Sequence, residues 1–222
     1  MVKKYFFSIV EMLTVIGISC ILATMLLPAL YGSISRSRLT VCGNQLRNIG
    51  NSINIYSNDN SGVIPNIMQG MEKSSIPILR LPGGTIIALG RLLQNGYLEE
   101  AYIFGCPDSP GYNGAMVQRN WQYTFNMVWS GYLYRSQANG FAPELNSPEN
   151  FNKAIIMDFA CKNTTGKDIT PHNCQFSNIL YTDNHIECRR NTPEPFEYYT
   201  ARAARHGEVI PDCTQLWQHA DQ

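Results

Sequence analysis

Charge is scarce in this chain: only 15% of its 222 residues are Asp, Glu, Lys or Arg, against about 25% in ordinary soluble domains. Neither sign is in excess, with 17 basic and 17 acidic residues, so no overall positive field exists to hold a polyanion and a general nucleic-acid-binding role is excluded. Catalytic and phosphate-binding motifs are missing as well. Val128-Trp129-Ser130-Gly131 lacks the first glycine of a Gly-x-Ser-x-Gly nucleophile turn, and Gly83-Gly84 is too short for a phosphate loop and reads as a turn. Asp158 and Asp183 could make an acid pair or help hold calcium, but no loop gathers oxygen ligands at a calcium-binding spacing. We expect no enzyme, no cofactor and no metal. What remains is 44% apolar, enough for a folded core.

The missing charge has a location. From Tyr5 to Ser35 the one ionisable acid or base among Asp, Glu, Lys and Arg is Glu11, and Met12–Leu30 has none; those nineteen residues would span ~30 Å of hydrocarbon as a helix. The segment runs on into further helical pattern without the small-residue stop of a cleaved secretory signal, so we read it as a membrane helix. Lys3 and Lys4 precede it and Arg36 and Arg38 follow, a tie that leaves orientation open. The cysteines decide it. Apart from Cys20 inside the apolar stretch, Cys42, Cys106, Cys161, Cys174, Cys188 and Cys213 lie in a chain rich in Asn, Gly and Pro, which points to an oxidising compartment and up to three disulfides with fifteen possible pairings. Of the 17 basic residues four precede Leu39, and of the 17 acidic ones only Glu11 does, leaving 13 against 16 beyond it. The zero net charge is thus an average over an uncharged segment and a mildly acidic remainder.

An anchor needs only apolar residues, yet this one carries Glu11 near its start, at a cost of roughly 2.5–3.5 kcal/mol on insertion scales, and Pro28 near its end, which would kink the helix or let it melt locally. Phe7-Ser8-Ile9-Val10-Glu11-Met12-Leu13-Thr14-Val15-Ile16, with Lys3-Lys4 as a basic leader and Pro28 twenty-one residues after Phe7, resembles the N-terminal signature of type IV prepilins and type II secretion pseudopilins. The resemblance implies that a prepilin peptidase cuts between Phe6 and Phe7 and methylates the new amino group. It also implies that Glu11 neutralises the ammonium of a neighbouring subunit in a filament. Phe6 stands where the family usually has glycine.

Beyond the membrane, Leu39, Cys42, Leu46, Ile49, Ile53 and Tyr56 recur every three or four residues and mark one apolar stripe. The stripe ends at Asn58-Asp59-Asn60-Ser61-Gly62, with Gly62 placed as a cap and Pro65 barring resumption. A helix from about Ile9 to Ser57 would be ~70 Å long. From Val63 on, short apolar runs between turns predict strands and loops: a short helix within Ile86–Leu98, strands at Gln122–Asn126 and Ala154–Phe159, and a hairpin from Phe176 to Arg189 turning at Asp183-Asn184. That turn sets Ile179 opposite Cys188 and faces Cys188 inward. The aromatic run Trp121, Tyr123, Phe125, Trp129, Tyr132 and Tyr134 alternates, so half of it is core and half could meet a glycan or protein.

This half is also similar to a large group of pilin-like proteins, through Cys42, Asn44-Gln45-Leu46-Arg47, Tyr56–Asn60, Pro65 and Phe104-Gly105-Cys106-Pro107. Their C-terminal hallmark is His, nine residues, then Asp-Gly and often His. Here His172, Asp183 and His185 take those places, with ten residues between the first two and Asn184 for the glycine. His172, Cys174, His185 and Cys188 are zinc-ligand types, but we expect the two histidines to be turn-packing residues that bond the Asp183 region. Among the disulfides we expect Cys42 with Cys106, stapling helix to head; of the three pairings open to the remaining four we take Cys161 with Cys174 and Cys188 with Cys213, and Cys20 should stay free.

The expectation is an α+β, pilin-like chain: leader 1–6, helix 7–60 and a small antiparallel β head 61–222. It would be a single-pass protein of the bacterial inner membrane with a periplasmic head. It would assemble with other pilin-like subunits in a type II secretion or pilus-like system. A second reading is an anchored binding protein that uses the pilin-type signal only for export, its aromatic head contacting polysaccharide or a secreted protein.

Overall fold

A computed structural model describes residues 8–67, 75–109, 111–135, 141–158, 172, 175–190 and 214–222. The chain divides into two compact units, Met1–Ser37 and Arg38–Gln222. The division falls inside the first helix, α1 (Ile9–Asp59), so the later turns of α1 belong with the head.

In the first unit the apolar residues Leu13, Ile16, Ile21 and Leu26 are all more than half exposed. This is the one helix among the described residues long and apolar enough to cross a membrane. It begins with a reciprocal cap. The Ser8 hydroxyl accepts from the Val10 N–H at 3.4 Å, and the Glu11 carboxylate accepts from the Ser8 N–H at 2.8 Å, a Ser-x-x-Glu arrangement that satisfies otherwise orphaned donors. The backbone stays helical through Pro28, so the expected local melting does not occur.

In the second unit the predicted stripe is the buried face of α1. Cys42, Leu46, Ile49, Ile53 and Tyr56 are buried in one core with Tyr132, Tyr134, Ile156 and Leu180. Gly50 permits the close approach, because a Cβ there would stand 2.2 Å from Asn184 Oδ1 and 3.0 Å from a Leu180 methyl. The helix ends as expected: Gly62 has φ 84° and its N–H donates to the Ser57 carbonyl at 2.8 Å.

The sheet is a five-stranded antiparallel meander in the order β1 (Ile76–Arg80), β2 (Val128–Tyr134), β3 (Ala154–Asp158), β4 (Phe176–Tyr181), β5 (Ile186–Arg190). Between β1 and β2 lie α2 (Gly90–Gln94), within the segment predicted to hold a short helix, and α3 (Gly114–Gln122). The strand expected at Gln122–Asn126 does not form. Asn113 caps α3, its side chain accepting from the Met116 N–H at 3.0 Å, and the buried Arg80 guanidinium collects the carbonyls that follow: Asn120 at 2.8 Å, Trp121 at 3.0 Å, Tyr123 at 2.5 Å and Asn126 at 3.2 Å. The Tyr123 and Asn126 carbonyls within the expected strand are thereby turned to one side chain rather than to a neighbouring strand. Of the aromatic run, Tyr132 and Tyr134 are core, while Tyr123 and Phe125 are exposed.

The β4–β5 hairpin exists, but one residue out of the expected register. Asn178 pairs with Cys188, and Ile179 with Glu187. The connection has three residues, Thr182-Asp183-Asn184, with Asn184 at φ 68°, rather than a two-residue turn. One residue of slip reverses the face of every side chain on β5, and Cys188 is exposed instead of inward. A last helix, α4 (Thr214–Ala220), buries Trp217, whose Nε1 donates to Ser75 Oγ at 2.6 Å, and its Ala220 carbonyl accepts from the Tyr181 hydroxyl at 2.7 Å.

Candidate functional site

The densest polar chemistry lies where α1 enters the head. Cys42 on α1 and Cys106, just past a short 3-10 turn at Ala101–Phe104, form a disulfide with Cα atoms 5.5 Å apart and both side chains buried. The expected helix-to-head staple is therefore present. Gly131 on β2 makes room for it, since a Cβ there would lie 2.7 Å from the Cys106 backbone nitrogen.

Against the disulfide sits His172, buried and in the left-handed region at φ 57°. Its Nε2 is 3.6 Å from Cys106 Sγ and 3.4 Å from Asp158 Oδ2 at the end of β3. Its Nδ1 is 3.3 Å from Asp108 Oδ2, within ion-pair range but off hydrogen-bond geometry. The backbone N–H of His172 donates to the same Asp108 oxygen at 2.8 Å, which fixes a conformation that ordinary residues avoid. Burial works against a charged ring, yet the neighbouring Asp158 and then Asp108 outweigh it, so the His172 pKa is raised.

Both carboxylates also reach back to α1. Asp108 Oδ1 accepts from Arg38 at 2.9 Å. Asp158 Oδ2 accepts the backbone N–H of Asn178 at 2.7 Å and its side-chain amide at 3.1 Å, and that amide lies 3.3 Å from the Leu39 carbonyl. Among the described residues Asp158 Oδ1 is buried with no hydrogen-bond partner. Nearby, Tyr132 donates to Gln45 Oε1 at 2.8 Å, and burial, followed by the Asp158 charge, holds its hydroxyl well above the usual tyrosine range. The cluster thus fastens residues 38–45 of α1 to three strands of the head.

Other expected site residues fall elsewhere. His172 does not bond the Asp183 region; it is committed to Asp108 and Asp158. His185 does: its Nδ1 contacts Asp183 Oδ1, and its ring stacks on Tyr181 with centroids 4.2 Å apart. Asp183 and His185 are exposed on the hairpin turn, so the motif histidines serve two different places and Asp158 and Asp183 make no pair. Cys188 is a free thiol, and Cys20 is free as expected. Phe6, Phe7, Cys161, Cys174 and Cys213 lie outside the described residues. Sequence reasoning missed Asp108 and the partnership of Asp158 with His172, and no local spacing signals either. No family model, no curated protein and no solved structure matches the chain.

Proposed function

We propose that this chain is a membrane-inserted, pilin-like structural subunit. Its N-terminal helix packs with those of other such subunits in a type II secretion or pilus-like filament, and its head lies on the periplasmic side of a bacterial inner membrane. The observation that carries the reading is the split character of α1: its large apolar side chains are exposed from Ile9 to Leu27, with one carboxylate in its first turn, and it is then buried and disulfide-linked from Cys42 on. A simple anchor has no use for Glu11, and a soluble core helix would not leave so much apolar surface open. A prepilin peptidase would process the chain between Phe6 and Phe7, and Glu11 would then face the ammonium of a neighbour. A second reading, an anchored binding protein, draws on the exposed Tyr123 and Phe125, which could contact polysaccharide or a secreted protein.

The cap at Ser8 supplies a sharper test than removing Glu11 outright. Glutamine can take the same capping role without the charge, so Glu11→Gln keeps the local hydrogen bond and removes only the ion pair. Assembly, read by crosslinking in the native membrane, should fail in Glu11→Gln as in Glu11→Ala, and the mature protein should begin at methylated Phe7. Normal assembly of Glu11→Gln, with Met1 through Phe6 retained, would overturn the filament reading and leave an anchor.

A further inference from the structure

Cys42 Sγ, Cys106 Sγ, His172 Nε2 and an Asp158 carboxylate oxygen all lie within 4.8 Å of one another, and all four residues are buried. We propose that, when the Cys42–Cys106 disulfide is reduced, these four side chains bind one zinc ion, so that disulfide and metal are alternative cross-links between α1 and the head.

The geometry supports four-coordination. Zinc bonds of about 2.0–2.3 Å set tetrahedral ligand-to-ligand edges of roughly 3.3–3.8 Å. The His172–Cys106 separation of 3.6 Å and the His172–Asp158 separation of 3.4 Å already have that length. The other separations are within 4.8 Å, and the two sulfurs must part, by side-chain rotation on backbones that are 5.5 Å apart at Cα. The outer groups are those a metal site uses. Asp108 lies beside Nδ1, the ring nitrogen left over once Nε2 is a ligand, and the Asn178 amides orient the Asp158 carboxylate. Among the described residues Asp158 Oδ1 is a buried carboxylate oxygen with no hydrogen-bond partner, an independent sign of a lone pair free for an ion. Because the four ligands come from α1, the segment after the 3-10 turn, β3 and the stretch before β4, the ion would tie together the same parts as the disulfide.

The chemistry balances. A dithiol reductant delivers two electrons and two protons to the sulfur–sulfur bond, yields two thiols and is itself oxidised to a disulfide; a phosphine does the same with water and leaves as its oxide. Zinc then displaces both thiol protons, and the Nε2 proton where the His172 ring is charged, to solvent, so that two thiolates, one carboxylate and the neutral imidazole surround the dication.

The test uses the full chain in detergent, reduced with a phosphine and dialysed against zinc, with the oxidised chain in parallel. Reduced protein should retain one zinc more per chain than oxidised protein, and zinc should raise the melting temperature of the reduced form only. Cobalt in place of zinc should show thiolate-to-metal charge transfer with the visible bands of a tetrahedral site. Cys42→Ser/Cys106→Ser should lose this zinc although the other cysteines remain. His172→Gln leaves both thiols in place and should weaken binding at least tenfold. Asp108→Asn should weaken it about 10–100-fold, the range for groups that orient a ligand. Equal zinc in oxidised and reduced chains, a cobalt spectrum without the thiolate band, or unchanged affinity in His172→Gln would each overturn the assignment.

Discussion

Breaking the Cys42–Cys106 bond should destabilise the head, and the amount follows from chain length. The bond closes a loop of sequence separation 64. Loop-closure entropy for that length is about 14–15 cal/mol/K, or about 4 kcal/mol at 25 °C, an upper figure because unfolded chains retain some structure. Both sulfurs are fully buried, so reduction exposes no new surface and the reduced wild type isolates the loop contribution. Cys42→Ala/Cys106→Ala adds the loss of sulfur packing against His172. The assay is urea unfolding of the full chain in detergent, followed by tryptophan fluorescence, with a chelator present so that no metal replaces the bond. For a slope of about 2 kcal/mol/M, the midpoint should fall by about 2 M on reduction. A loss below about 1 kcal/mol would refute the reasoning, since it would mean the two segments are held together equally well without the cross-link.

Three further outcomes can be checked on the same preparation. Arg80→Met leaves four carbonyls at the end of α3 without their shared donor and should destabilise the head by about 3 kcal/mol, seen as a lower urea midpoint. Gly131→Ala drives a Cβ to 2.7 Å from the Cys106 nitrogen and 3.0 Å from the Tyr112 carbonyl, both backbone atoms, and should cost about 1–3 kcal/mol by the same measurement. Tyr181 has its pKa pushed up to about 12, chiefly by burial, with Arg189 opposing and the Glu187 hydrogen bond adding to the rise. Its neutral form is the one the fold favours, so its contribution is complete below the ordinary tyrosine value of 10.0 and is lost as pH climbs from there toward about 12. Tyr181→Phe should flatten part of that alkaline loss in a stability-against-pH series; an unchanged slope would count against the assignment.

Local pattern carried much of this architecture. The α1 stripe was legible because one face of a helix buries Cys42, Leu46, Ile49, Ile53 and Tyr56 at helical spacing, and its end was legible because Gly62 takes a backbone conformation few residues tolerate. The α3 segment was misread for a non-local reason. Tyr123 and Phe125 alternate as a strand would, but Arg80, some forty residues earlier, binds the Tyr123 and Asn126 carbonyls of that segment. Asn113, a side-chain N-cap, was the overlooked local signal. The hairpin register turned on one loop residue, which composition at Asp183-Asn184 does not decide. His172 was singled out through its motif, yet its partners Asp108 and Asp158 come from distant segments brought together only by the meander.

The arrangement of those distant partners explains why the cluster sits where it does. Under the filament proposal the helix transmits load and needs its strongest attachment at its first turns in the head, because the later turns are already held by apolar packing along Leu46, Ile49 and Ile53. Arg38, Leu39 and Cys42 are the first residues of α1 that belong to the head, and each is tied by a different kind of bond: an ion pair to Asp108, a carbonyl to Asn178, and a disulfide to Cys106. Hydrophobic burial is non-directional, whereas these contacts have fixed geometry and, together with the close approach at Gly50, fix register. Glu11 plays the matching part at the other end of the helix under the filament proposal, setting register between subunits as the cluster sets it within one. Loss of the cluster should therefore loosen the helix against its own head before it alters contacts between chains, and loss of the Glu11 charge should do the reverse.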